Sequence, residues 1–147
     1  MAGLEGELRI RAMTPPDYDE VVALWRATDG IGLSEADERA AIATYLARNP
    51  GLSLVALRGE ALVGAVLCGH DGRRGYIHHL AVVPAERGRG LGRTLAERCL
   101  LGLGALGIGK ANIVVYAANA EGQAFWRATG WTGRDDLLVM QRATEKL

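Results

Sequence analysis

Apolar and polar positions alternate over residues 8–12, where arginines separate the apolar side chains. A period of two is typical of a strand with one buried face. Two apolar runs, 52–57 and 61–68, flank a short Arg-Gly-Glu connection, which predicts a β-hairpin. A further strand is predicted over 76–83, after a glycine-rich turn. The middle of the chain therefore predicts an antiparallel meander.

Other segments have helical spacing. Thr14 and Ser34 are each followed three residues later by an aspartate, and this capping pattern predicts the starts of two helices before the meander. Apolar residues four apart predict a longer helix that begins near Gly90. Asn119 is placed to cap a short helix over 120–128.

Two late strands are predicted from apolar runs, over 113–117 and 137–140. The helix that begins near Gly90 joins strand 76–83 to strand 113–117, and a helical crossover makes such strands parallel neighbours. The element order predicts an α/β fold with a mixed, mostly antiparallel sheet flanked by about four helices. A chain of 147 residues has the size of one domain, so we expect a single domain over residues 1–147.

The charge is balanced overall but uneven along the chain. Seventeen Lys and Arg residues face seventeen Asp and Glu residues, which argues against a general binder of nucleic acid or membrane surfaces. Residues 1–60 carry six basic and ten acidic side chains, whereas residues 61–110 carry seven and three. We therefore expect an anionic ligand to bind in the middle third of the chain.

Cysteine usage and hydropathy bear on compartment. Cys68 and Cys99 lie far apart, with no histidine at ligand spacing, so neither a disulfide framework nor a metal site is predicted. The first eight residues carry acidic side chains and no run typical of a signal peptide. No window approaches the roughly 18 apolar residues of a membrane span. We expect a cytoplasmic protein that is not inserted in a membrane.

The segment Arg-Gly-Arg-Gly-Leu-Gly at residues 87–92 lies between a predicted strand and a predicted helix. Glycines let backbone N–H groups converge at a helix N-terminus, and such a turn attracts anions. Arg87, Arg89 and Arg93 add charge-assisted donors, so a phosphate is the expected ligand. A dinucleotide fingerprint would need a glycine in place of Arg93, and the G-K-[ST] of a P-loop is absent. A glycine-rich turn with solvated arginines is the alternative interpretation.

The strand 76–84 followed by this loop resembles the acetyl-CoA motif of the GNAT superfamily of N-acetyltransferases, in which R/Q-x-x-G-x-G/A follows a strand. Residues 119–131 are similar to the second signature of that family, in which Asn begins a helix that ends in Gly-aromatic. The order of elements is also that of the family. Among its members the chain looks closest to small bacterial single-domain proteins with a Gly-x-Asp-Gly-x-Arg-Gly hairpin, here 69–75.

The resemblance implies acetyl-CoA as co-substrate. It implies direct transfer of the acetyl group to a primary amine of a small molecule, amino acid or peptide, without a covalent acetyl-enzyme. The strand would bind the pantetheine arm and the loop the pyrophosphate. The residues implied in binding acetyl-CoA are Leu80, Ala81, Val82, Arg87, Gly88, Arg89, Gly90, Leu91, Gly92, Arg93, Asn119 and Trp126.

Acetyl transfer needs a neutral amine and a proton source for the departing thiolate. A period of two places Tyr76 and His78 on one face of their strand and His79 on the other, so only one of these histidines is expected to face the cleft. We predict His78 as the base, because its ordinary pKa suits proton transfer near neutrality. A histidine hydrogen-bonded within the sheet is the alternative. Tyr76, Tyr116 or solvent could protonate the thiolate.

The chain departs from the family at Trp126, where many relatives have the tyrosine that protonates the thiolate. Val114 stands where some peptide-acetylating relatives have a glutamate base. Two other functions therefore stay open: a weakly catalytic acyl-CoA-binding or regulatory domain, and a phosphate-loop protein for another nucleotide. The acidic first sixty residues favour a cationic or amine acceptor. A homodimer formed through an exposed late strand is also left open.

Overall fold

The computed structural model describes residues 6–144. The expectation that the first eight residues form no signal peptide falls partly on residues 1–5, which lie outside that range. The chain divides into two compact units, one ending at Tyr116 and the other beginning at Ala117. The expectation of one domain over residues 1–147 stays a prediction.

The first unit is built on a five-stranded sheet with the strand order β1-β2-β3-β4-β5. Neighbouring strands are antiparallel from β1 to β4, and β4 and β5 are parallel. The predicted mixed, mostly antiparallel sheet is therefore confirmed. The strands are β1 (Leu8–Ala12), β2 (Leu54–Arg58), β3 (Ala61–His70), β4 (Gly75–Val82) and β5 (Ala111–Ile113).

Four α-helices accompany the sheet over residues 6–144. They are α1 (Tyr18–Arg26), α2 (Arg39–Arg48) and α3 (Leu91–Ala105) in the first unit and α4 (Ala120–Ala128) in the second. The capping box predicted at Ser34 is present, and the Asp37 carboxylate accepts the Ser34 N–H at 3.0 Å. It closes a short 3-10 turn, Glu35–Asp37, and α2 begins two residues later.

The helices of the first unit cover both faces of the sheet. On one face, Trp25 of α1 and Ile42 of α2 pack with Leu67 of β3 in a continuous buried core. On the other face, a side chain at Gly64 of β3 would meet Leu95 of α3, which is fully buried. Each large apolar side chain buried in this way contributes about 1.5–3 kcal/mol. The sheet is therefore held between α1 and α2 on one side and α3 on the other.

The predictions for the two late strands were wrong in detail. The strand predicted over 113–117 is β5, which begins earlier and ends at Ile113, and the side chains of Val114 and Tyr116 beyond it are exposed. No strand forms over 137–140, and the apolar side chains of this segment are exposed. An apolar run becomes a strand only where a neighbouring strand bonds its backbone. Within the described residues, 137–140 has no such neighbour.

Candidate active site

One edge of β4 opens partway along the strand. The parallel pairing with β5 covers only three positions, from Gly75 opposite Ala111 to Ile77 opposite Ile113. Beyond Ile77 no strand of residues 6–144 pairs with this edge, although the other edge of β4 stays paired with β3. Main-chain N–H and C=O groups along the open stretch are therefore left to bond other partners.

The predicted cofactor residues Leu80, Ala81 and Val82 lie on this open stretch of β4. The side chain of Ala81 is buried in the core beneath α1 and α2, so it is not available to a ligand. The gap beside the open edge of β4, past the end of its pairing with β5, is called the crevice below. These three positions contact it mainly through their backbone.

The loop after β4 has the conformation that its glycines favour. Gly88 and Gly90 have φ of +76° and +84°, in the left-handed region, and nothing lies within 4 Å of the position of a Cβ at either. Thr94 is the first residue of α3 whose N–H bonds back, to the Gly90 carbonyl at 3.0 Å. The N–H groups of Leu91 and Gly92 therefore have no acceptor within the helix. The loop and the helix start therefore present N–H groups beside exposed arginines, and the binding of an anion there stays a prediction.

The three arginines of the loop are exposed and make only weak contacts with the protein. Arg87 Nε donates to the Val82 carbonyl at 3.3 Å, and Arg93 pairs with Glu97 one turn along α3 at 3.0 Å. Arg89 lies 3.6 Å from the Glu86 carboxylate. Exposed ion pairs of this kind contribute little stability, so these guanidinium groups can turn toward a bound anion at small cost.

Glu86 anchors the loop, and the sequence analysis did not single it out. Its side chain is only 1% exposed, and its carboxylate accepts from Arg58 Nε at 2.8 Å and from Arg58 Nη2 at 3.0 Å. These hydrogen bonds from Arg58 hold the pKa of Glu86 below its ordinary value. The pair joins residues 28 apart in sequence, one in β2 and one beside the glycine loop, so no local pattern could reveal it.

A bulge in β4 changes the arrangement expected for the histidines. Leu67 of β3 lies opposite His78, whereas Ala65 lies opposite Ala81, so the register shifts between these pairs. His79 lies in the bulge with φ of +53°, the one positive φ among non-glycine residues of the described chain. The extra residue turns both imidazoles to the face that carries α1 and α2, and their ring centroids are 6.3 Å apart. The expectation that the two histidines lie on opposite faces of the strand was therefore wrong.

His78 lies among aromatic rings. Tyr76 stacks on it, with centroids 6.3 Å apart and the planes only 5° from parallel, and Tyr45 of α2 meets it edge-on at 6.5 Å. Burial is the largest cause that lowers the pKa of His78. The imidazole of His78 is therefore neutral near neutral pH and able to accept a proton.

His79 is held by an acidic side chain. Its Nε2 lies 2.8 Å from Oδ1 of Asp37, whose side chain is 8% exposed. The ring also packs against the fully buried Trp25, with centroids 4.9 Å apart. The sequence pattern identified Asp37 only as a capping residue, because 42 positions separate it from His79.

Residues 27–38 connect α1 to α2 across this region of the sheet. At one point the connection holds His79 through Asp37. At another it meets Tyr116, which follows β5, because a Cβ at Gly32 would collide with the Tyr116 hydroxyl. The connection therefore reaches residues on both sides of the gap that opens between β4 and β5.

In the second unit, Asn119 caps α4 as predicted. Its Oδ1 accepts the Gly122 N–H at 2.9 Å. Trp126 packs edge-on against Phe125 at 5.0 Å and against Trp131 at 5.2 Å. That Asn119 and Trp126 bind the cofactor stays a prediction.

Metal and membrane features were searched over residues 6–144. Within this range no three His, Cys, Asp or Glu side chains come close enough together to hold a metal ion. None of the helices described there is both long and apolar enough to cross a membrane.

Comparison with known proteins gives matches of sequence and of fold. The model of the Acetyltransferase (GNAT) family matches residues 18–131. An acetyltransferase of Yersinia enterocolitica is 33% identical over 135 residues, covering 92% of this chain and 95% of the relative.

Two solved structures share the fold. PaiA N-acetyltransferase from Thermoplasma acidophilum, in complex with coenzyme A, has a TM-score of 0.76 at 18% identity, over 88% of this chain and 92% of that one. AAC(6')-Iy, in complex with the bisubstrate analog CoA-S-monomethyl-acetylneamine, has a TM-score of 0.74 at 14% identity, over 95% and 100%.

The family match spans most of the chain, and the curated relative is aligned over nearly its full length. The chain therefore belongs to the acetyltransferase (GNAT) family. The family and the fold class predicted from the glycine loop and the order of elements are confirmed.

Proposed function

We propose that the protein is an acetyl-CoA-dependent N-acetyltransferase that transfers the acetyl group directly to a primary amine of a small molecule, amino acid or peptide. The observation that carries this proposal is the open edge of β4, which leads through a short 3-10 turn, Pro84–Glu86, to a glycine loop and the N-terminus of α3. An extended chain that ends in phosphates matches that combination of backbone groups.

The residues of the loop fit the co-substrate. The N-terminal N–H groups of α3 and the exposed side chains of Arg87, Arg89 and Arg93 would bind the pyrophosphate. The backbone of residues 80–82 would bind the amide-containing arm, and Asn119 and Trp126 are proposed as further contacts. That PaiA was solved with coenzyme A and AAC(6')-Iy with a CoA-linked analog supports this assignment.

Acetyl transfer requires side chains near the crevice that accept and donate protons. The amine nitrogen forms the new N–C bond and the C–S bond of the thioester breaks with its electron pair on sulfur. An ammonium acceptor loses two protons in all, of which one is gained by the thiolate and one by solvent. His78 is the proposed acceptor of a proton from the amine, because its lowered pKa keeps it neutral. Tyr76, stacked on His78, or Tyr116, across the gap, is the proposed donor to sulfur.

The class of acceptor, the cell compartment and the assembly are also part of the proposal. The acidic connection and helices before β2 favour an amine-bearing, cationic acceptor. Cys68 and Cys99 are both buried free thiols, in keeping with a reducing cytoplasm. A homodimer remains a proposal for the assembly.

Ligand stabilisation and turnover test the proposal together. Coenzyme A and acetyl-CoA should raise the melting temperature, because a ligand of the folded state shifts unfolding by mass action. Thiol release is then followed with a panel of amines, amino acids and short peptides. Stabilisation with amine-dependent release supports the transferase, and absence of stabilisation refutes the assignment of the glycine loop.

The variant Trp126→Tyr separates the transferase from a weakly catalytic acyl-CoA-binding domain. Turnover in the unmodified protein rejects the binding domain. Turnover that appears only in Trp126→Tyr supports the binding domain. It also contradicts the proposed catalytic use of His78 with Tyr76 or Tyr116.

A further inference from the structure

The backbone at His79 is held in a conformation that histidine rarely adopts. A φ of +53° puts the Cβ in steric conflict with the main chain, and such residues persist only where the surrounding structure holds them. Residues of this kind cluster at functional sites. The bulge at His79 also lies where β4 loses its pairing with β5, so the strained residue lies at the start of the open edge.

Asp37 fixes the orientation of this imidazole. One carboxylate oxygen contacts His79 Nε2 at 2.8 Å, and the other accepts the Ser34 N–H at 3.0 Å. The turn that carries Asp37 is itself fixed, because the Tyr18 hydroxyl donates to the Asp37 carbonyl at 2.7 Å. In a neutral imidazole, a carboxylate that accepts from Nε2–H fixes the tautomer whose lone pair lies on Nδ1.

The second ring nitrogen of His79 is not used by the part of the protein that the structure describes. Among residues 6–144, Nδ1 of His79 has no hydrogen-bond partner, and the side chain is 19% exposed. The connection 27–38, which holds Asp37, also contacts Tyr116 on the far side of the gap. Asp37 therefore orients the ring through Nε2, and the side chain stays partly exposed in the region that the connection 27–38 crosses.

We propose that His79 is a second proton acceptor for the acceptor amine, and that Asp37 is its positioning residue. This role rests on the proposed function. Of the two protons that the nitrogen loses while its lone pair forms the N–C bond, His78 accepts one and Nδ1 of His79 accepts the other. The C–S electron pair leaves with sulfur, which gains one proton, and the second proton passes to solvent. Two acceptors side by side thus match the two protons to be removed.

The variant His79→Gly tests this role without imposing backbone strain, because glycine adopts positive φ readily. We expect kcat to fall by about a hundredfold or more, the range of general acid–base catalysis. The KM for acetyl-CoA and the affinity for coenzyme A should stay within twofold. Added imidazole should restore part of the lost kcat, because it can occupy the space of the missing ring.

His70→Gln is the matched control. His70 lies at the end of β3, where its Nδ1 accepts the Gly72 N–H in a turn, and this variant should keep kcat within twofold. Asp37→Asn is the second test variant. It should lower kcat while coenzyme A still stabilises the protein, and ¹⁵N spectra should show His79 as the Nε2–H tautomer in the unmodified protein and as a mixture in the variant.

The outcomes separate this role from the proposed function. If His79→Gly keeps kcat within twofold, or loses it without rescue by imidazole, the role of His79 is refuted while the transferase stands. If the unmodified protein turns over no amine, the proposed function fails first and the role of His79 fails with it.

Discussion

Gly90 and Gly107 mark the two ends of α3 and offer a matched pair of substitutions. Their φ values are +84° and +82°, and neither has an atom within 4 Å of the position of a Cβ. Alanine at either site meets the same left-handed strain, about 1–2 kcal/mol for an L-residue. Alanine also lowers the conformational entropy of the unfolded chain, which offsets about 0.4–1 kcal/mol of this strain. Gly90→Ala and Gly107→Ala should each lower the free energy of unfolding by about 1 kcal/mol.

Binding of coenzyme A should distinguish the two variants. The methyl group of Gly90→Ala would enter the space next to the helix N-terminus where the pyrophosphate is proposed to bind. Loss of one charge-assisted hydrogen bond is worth about 1.5–3 kcal/mol, so the Kd should rise by about tenfold to a hundredfold. Gly107→Ala, at the other end of the helix, should leave the Kd within twofold.

Urea unfolding and calorimetric titration with coenzyme A measure these quantities on the same samples. At this chain length a loss of about 1 kcal/mol corresponds to roughly 2–4 °C in melting temperature. Equal loss of affinity in both variants would mean that stability, rather than local geometry, controls binding. Unchanged affinity in Gly90→Ala would refute the placement of the phosphates at this turn.

Two further predictions concern pH. Hydrogen bonds from Arg11 hold the pKa of Asp17 at about 2, so its contribution to stability is present above its ordinary value of 3.8 and is lost as the pH falls toward 2. Asp17→Asn should therefore cost about 1–2 kcal/mol at pH 7, reduced for the exposure of Arg11, and almost nothing near pH 2, as measured by urea unfolding. A constant cost across this range would contradict the pairing. Since burial lowers the pKa of His78, the acid limb that His78 contributes to kcat should lie below pH 6.5 and be lost in His78→Gln. An unchanged limb in that variant would exclude His78 as the titrating base.

The sequence predicts the elements whose signals are local. The bounds of α4 follow from Asn119 and the helical period, and the hairpin of β2 and β3 follows from its short glycine connection. The glycine loop is predicted together with its conformation, because Gly88 and Gly90 are the residues that adopt positive φ without strain.

The features that the sequence does not predict depend on distant partners. Asp37 reaches His79 across 42 positions, and no periodicity connects a capping residue to a strand. The bulge at His79 inserts one residue into an otherwise regular alternation, so every face assigned by a period of two changes beyond it. The segment 137–140 has a strand-like composition, but composition alone does not supply a neighbouring strand.

The crevice beside the open edge of β4 has two halves, one that depends on backbone groups and one that depends on side chains. Along residues 80–82 the groups presented are peptide N–H and C=O, which almost every amino acid provides. Substitutions there change packing against the core but leave the pattern of donors and acceptors intact. The half beneath the connection 27–38 has the particular side chains Asp37 and His79, whose proposed roles a single substitution would remove. Under the proposed function, substitutions in the second half would change the amine acceptor while the first half kept the same acyl donor.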